Sequence, residues 1–222
     1  MLQLPTFIAG AAAVTSLLVA TGVGAADFSA VPAGNYQVDA AHGYINFSYT
    51  HLGFSNPVLR FNDFDVDLNL DTADVPASEL SVVIDVASID TGVERFDEHL
   101  KSDDFFDVAN HPTITFRSTA ITERADGGLE IAGELTIRDI TRPVLLRGRV
   151  NKAGINPINE TPTVGVSART TVKRSDWGLD KYVPAVTDAV EIVIEVRCKS
   201  AEPPTVAAGA ARRTVPPPTW CS

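Results

Sequence analysis

Between Ser88 and Ser118 the chain reads SIDTGVERFDEHLKSDDFFDVANHPTITFRS, and this stretch decides how its neighbours are organised. It begins where a run of alternating apolar and polar residues ends, and alternation resumes at Thr113. In between, Val93, Phe96 and Leu100 recur at helical spacing, Phe105 and Phe106 stand together, and Asn110-His111-Pro112 stops the segment. A proline at 112 biases His111 away from helix, so a strand begins just after it. The pattern predicts one short helical insertion near 93–107, an aromatic plug between two strands, with Asp103, Asp104 and Asp107 facing water.

Outward from this stretch the chain alternates with period two. Ile45, Phe47 and Tyr49 share one face against Asn46, Ser48 and Thr50; Val66, Leu68 and Leu70 oppose Asp65, Asp67, Asn69 and Asp71. Val82, Ile84 and Val86 repeat the pattern, as do Ile114 with Phe116, Leu129 to Ile137, and Val190 to Val196. Half-buried antiparallel strands look like this. Asp126-Gly127-Gly128 is a hairpin signal, because those residues tolerate the positive φ of a tight turn. With further segments near Val144–Val150 and Val164–Val172 the count reaches about eight strands. An all-β fold follows, and alternation alone leaves sandwich and closed barrel open.

Composition narrows the function classes. Net charge is −10, unevenly spread: residues 62–107 hold fourteen acids against Arg95 and Lys101, whereas the chain from Val108 onward is slightly basic. No concentrated basic face is legible, which argues against nucleic-acid binding. At the start, Phe7 to Val23 is apolar or small and Val23-Gly24-Ala25 resembles a cleavage site, so residues 1–26 read as a signal peptide, with a retained anchor as the alternative. Residues 27–34 read as a short linker, 35–201 as the domain, and 202–222, rich in Pro and Ala, as a disordered tail. Cys198 and Cys221 stand in no metal-ligand pattern, so no metal site is expected.

The 88–118 stretch also carries a resemblance. Its order S-I-x-T, R-x-D-E-H-L-x-S-x-D-F-F-D, H-P, I-x-F-x-S is similar to the YceI-like family of secreted bacterial lipid-binding proteins. Tyr36-x-Val38-Asp39-x-x-His42, Gly133-x-Leu135-Thr136-Ile137, Thr141-Arg142-Pro143-Val144 and Arg174-Ser175-Asp176-Trp177-Gly178 extend it from about Tyr36 to Ala201. Arg60, where a glycine is expected, and Phe96 depart from the pattern. The resemblance implies a lipocalin-like, eight-stranded antiparallel barrel that holds a polyisoprenoid or other long-chain lipid. It also implies a periplasmic or secreted location, transient contact with membrane or lipid-handling proteins, and a homodimer.

On that reading Phe47, Tyr49, Phe61, Val82, Ile84, Phe116, Leu135 and Ile192 line an apolar tunnel, where burying a prenyl chain gains roughly 25 cal/mol per Å². Arg174, His42, His51 and Asn46 are the candidates for a polar head group, since guanidinium grips phosphate bidentately. No cofactor is expected beyond the bound lipid. Two other classes stand beside the carrier: an envelope interaction protein with a side-chain-filled barrel, and a hydrolase built on His42, His51, His99 or His111 with Asp. No nucleophile elbow, His-Glu-x-x-His or phosphate loop supports the last, so no catalytic residue is expected.

Overall fold

The computed structural model describes residues 27–202. Its strands are β1 (Gly34–Val38), β2 (Tyr44–Ser48), β3 (Val58–Phe61), β4 (Phe64–Leu70), β5 (Glu79–Asp85), β6 (Ile89–Asp90), β7 (Thr113–Glu123), β8 (Leu129–Ile137), β9 (Ile140–Ile155), β10 (Pro162–Lys173) and β11 (Ala189–Ser200). One α-helix, α1 (Glu94–Lys101), lies between β6 and β7, inside the segment where helical spacing predicts it. All strand pairings are antiparallel.

Eight of the strands form a ring in the order β1, β4, β5, β7, β8, β9, β10, β11, and β11 pairs back to β1. Tyr36↔Ser200 and Val38↔Cys198 make that closing seam. The architecture is therefore a closed eight-stranded barrel, and closure removes the free edges a sandwich would leave. The remaining strands prolong ring members past a crease. Turns at 39–43, 62–63 and 86–88 interrupt three adjacent staves, after which β2, β3 and β6 continue β1, β4 and β5. Asn62 N–H donates to Ser88 O (3.1 Å) and Asp85 N–H to Asp63 O (3.0 Å), so the crease keeps its backbone polar groups paired.

Alternation translates directly into burial. Along β4, Phe64, Val66 and Leu70 are buried while Asp65, Asp67 and Asn69 are exposed. Two bulges change the parity. Ser118 pairs with Gly133 but Ala120 with Ala132, so Thr119 is the extra residue and the inward set passes from Ile114 and Phe116 to Ile121. Asn151 plays the same part in β9, where Gly165 faces Lys152 but Val166 faces Val150. Gly133 is where two strands and an aromatic ring meet: a Cβ there would stand 2.3 Å from Phe116 Cζ and 2.5 Å from Arg117 O.

The end of the barrel where β1 begins and β11 ends is filled. Tyr36, Leu70, Leu129, Val164 and Cys198 are buried there, and Tyr36 Oη donates to Pro32 O (2.7 Å). Residues 27–34, expected as a short linker, contribute Phe28 and Val31 to the core and Gly34 to the start of β1. The expected signal peptide at 1–26 lies outside the described residues, as does the expected tail apart from Glu202. In the inserted segment Asp103 and Asp104 are exposed as expected, but Asp107 is turned in. Its side chain is only 16% exposed, accepts from Asn110 Nδ2 (3.0 Å) and sits beside His111, which itself approaches Asp139 (3.4 Å).

Two predictions follow from the packing. Gly133→Ala should cost on the order of 2 kcal/mol through overpacking, read as a lower midpoint in urea at unchanged slope; an unchanged midpoint contradicts the close approach. At the seam, the Arg197 guanidinium hydrogen-bonds Asp39 and holds its carboxyl below the usual range, against the opposing effect of partial burial. A depressed folded pKa gives stability that is present above the unfolded value, about 3.9, and is lost as pH falls through the folded one. Asp39→Asn should therefore flatten the decline of the urea midpoint below about pH 4; an identical acid limb contradicts this.

Candidate functional site

Opposite the filled end the barrel encloses a cavity of about 770 Å³, within the range of roughly 300–1,000 Å³ typical of small-molecule sites. Its wall is built from the inward faces of the strands, and three segments frame its mouth: 49–57 after β2, 91–112 around α1, and 174–188 between β10 and β11. The wall is almost entirely aliphatic and aromatic. Phe47 stacks on Phe61 (centroids 5.2 Å apart), and Phe106 from the inserted segment meets Phe61 edge-on at 5.9 Å. Phe96 and Phe105 also face the cavity, so the plug roofs part of the barrel without filling it.

The Arg-Ser-Asp-Trp-Gly turn at 174–178 shapes the mouth. Arg174 donates to the backbone carbonyls of Thr187 (3.0 Å), Lys181 (3.0 Å), Val186 (3.1 Å) and Leu179. Burial pulls its guanidinium below the usual value, with the fields of Asp188 and Asp180 acting the other way; a guanidinium stays charged regardless. Asp188 accepts from Ser175 N–H (2.9 Å) and Ser175 Oγ (2.8 Å), and Trp177, buried, donates to Leu135 O (3.2 Å). Gly178 takes φ 72°, the left-handed region that lets the turn reverse. Across the mouth Lys181 pairs with Asp104 and holds its carboxyl below the usual range. His99 and Phe105 pack against Tyr182 at 6.4 and 6.3 Å.

All eight residues expected in the tunnel, Phe47, Tyr49, Phe61, Val82, Ile84, Phe116, Leu135 and Ile192, lie in the cavity wall. His51 and Arg174 line its mouth, although most of the Arg174 donors are spent on carbonyls. His42 and Asn46 do not line it. Asn46 alternates with Ile45 and Phe47 and so takes the outer face. His42 sits outside the barrel beside Asp39 (3.2 Å) and Arg197 (2.7 Å). Burial pushes the Tyr49 phenol up, which keeps it a hydrogen-bond donor near the mouth. Lys181, Tyr182 and Thr170 join the wall unannounced by sequence; only Thr170 had a signal, its shared parity with Val172. Arg60 is harmless to the cavity, lying outside and bridging to Asp90 (3.1 Å). Among the described residues no three His, Cys, Asp or Glu side chains gather as a metal site.

If the guanidinium fork holds the mouth, Arg174→Lys, which keeps the charge and loses the fork, should cost about 3 kcal/mol in lost and orphaned hydrogen bonds. It should also speed amide hydrogen exchange between Leu179 and Thr187; unchanged exchange there contradicts the assignment.

Comparison with known proteins places this geometry. The chain is 32% identical over 166 residues to a UPF0312 protein of Ectopseudomonas mendocina, covering 74% of this chain and 86% of that one. It is 34% identical over 163 residues to a UPF0312 protein of Vibrio cholerae, covering 71% and 86%. Among solved structures, the Campylobacter jejuni YceI protein superposes with TM-score 0.62 at 27% identity, over 69% of this chain and 90% of its own. A polyisoprenoid binding domain from Saccharophagus degradans, implicated in plant cell wall breakdown, shares the fold with TM-score 0.58 at 14% identity, over 76% and 99%. The family model of the YceI-like domain matches residues 36–198, from the closing seam in β1 to Cys198 in the last strand, and the chain belongs to the YceI-like family.

Proposed function

We propose that this protein is a binding protein rather than an enzyme, one that holds an isoprenoid or other long-chain amphiphilic lipid in the barrel as a carrier or reservoir. The observation that carries the reading is the open, apolar cavity of about 770 Å³, with Tyr49, His51 and Arg174 near its mouth. A chain that hides about 300 Å² of apolar surface there gains roughly 7 kcal/mol before the cost of association. No reactive group is needed for such retention. The Saccharophagus degradans domain of the same fold, a polyisoprenoid binding domain, supports this choice of ligand class.

At the mouth the Tyr49 hydroxyl and His51 are placed to meet a polar head, and the unspent donor of Arg174 is the third candidate. The apolar run at 7–23 supports export, and with it a periplasmic or secreted location.

A dansyl-labelled farnesol titrated in detergent-free buffer tests the reading. Wild type should bind it with a blue-shifted emission, and Ile192→Trp, which fills the cavity with an apolar ring, should weaken binding at least tenfold. Equal affinity in the variant, with its fold intact, would falsify the cavity as the site.

A further inference from the structure

The framing segments at the mouth are unequal. One side is α1 and its flanks, where Glu94, Asp97, Glu98, Asp103 and Asp104 outnumber Arg95 and Lys101. The other is a lip made of two loops stitched together: Leu52 N–H donates to Ala185 O (3.1 Å), Thr187 N–H to Thr50 O (3.0 Å), Thr50 N–H to Thr187 Oγ1 (2.9 Å), and His51 bridges to Val186. Residues 49–58 contain no charged side chain, and 181–187 contain only Lys181. Yet Phe54, Val58 and Leu52 on the lip point away from the protein, 89%, 67% and 50% exposed, while Tyr182, 55% exposed, stands at the rim and also borders the cavity. Their neighbours His51, Ser55, Pro57 and Val186 line the cavity instead. The outer side of the lip is therefore continuous with the entrance.

Leu52 and Tyr182 hold φ of 52° and 68°, a conformation unfavourable for bulky residues that the cross-loop bonds maintain. These two exposed tips are thus fixed in place by the scaffold rather than free to fold back.

We propose that this lip is a membrane-docking surface, inserting Leu52, Phe54 and Tyr182 into the interfacial region of a bilayer so that the cavity opens onto the lipid phase. The inference rests on the cavity being the lipid site. A long prenyl chain resides in bilayers, and an entrance rimmed by apolar tips spares it a passage through water. Aromatic and aliphatic tips without carboxylates suit the headgroup boundary. The acidic side of the mouth is repelled by anionic headgroups, which tilts the docked protein onto its neutral lip. The tips present less apolar area than the roughly 800 Å² per partner of a stable dimer, which fits a transient membrane contact better than a second copy.

Flotation of the full protein with vesicles of phosphatidylethanolamine and phosphatidylglycerol, and separately of phosphatidylcholine, tests this. Wild type should float with both, and L52S/F54S should lose at least fivefold in the bound fraction; both positions are exposed, so the barrel should tolerate the change. Phe54→Trp should shift its emission to the blue when vesicles are added. Absence of wild-type binding, retention by the double variant, or binding confined to anionic vesicles and unaffected by the substitutions overturns the proposal. So does a dimer in sedimentation that L52S/F54S dissolves, which would make the lip a contact between copies. Dansyl-farnesol titration in vesicle-free buffer separates the two readings: L52S/F54S should bind the probe as wild type does. Failure of wild type to bind it counts against the cavity, whereas loss of flotation alone counts for the lip.

Discussion

The open end of this barrel rests on one side chain, the guanidinium of Arg174, toward which four backbone carbonyls of the 179–187 loop are turned. Strands that diverge around a cavity leave a long connection whose carbonyls cannot all find partners in the sheet, and unpaired buried carbonyls are costly. A planar five-donor fork satisfies several at once, which an ammonium on a flexible stem cannot match. Burial of the charge is tolerable because the carbonyl dipoles converge on it and Asp188 and Asp180 lie within its field. Trp177, on the same turn, is hydrogen-bonded to β8 and ties the loop to the wall.

From that anchor the two ends of the barrel diverge in character. At the filled end, Phe28, Val31, Tyr36 and Cys198 close the core, and burial pushes the Cys198 thiol up to about 12, so it is chemically quiet. At the other end the inserted segment roofs the barrel from one side with Phe96, Phe105 and Phe106 and leaves the space beneath it open. The cavity exists because the plug covers the barrel mouth without descending into it. Two of its acids serve the outside: Asp104 meets Lys181 across the mouth, and Asp103 is exposed.

Much of this was legible in the sequence, for a physical reason. Period-two alternation reports which side of a strand is dry, so the inward residues from Phe47 to Ile192 could be named from it. The same rule, applied strictly, places Asn46 outside, between Ile45 and Phe47. Alternation alone did not show closure, which depends on the register of Tyr36 against Ser200, residues far apart in the chain; the expectation of a closed barrel came from the family resemblance. Nor were the bulges at Thr119 and Asn151, which change parity without an obvious residue signal. Arg174 announced a cation but not its destination, since the carbonyls it binds belong to a loop whose path the sequence does not encode locally. Exposure of Phe54 was equally hidden: an apolar residue in a turn looks like core until its neighbours are placed.

The central claim, that the barrel is built around a lipid rather than packed solid, is tested most directly by what the protein carries. Purified without detergent from a host with membranes, extracted into organic solvent and examined by mass spectrometry, it should yield one long-chain isoprenoid or similar amphiphile per chain. An extract without stoichiometric lipid, together with a crystal structure whose cavity is filled by the protein's own side chains, would contradict the account.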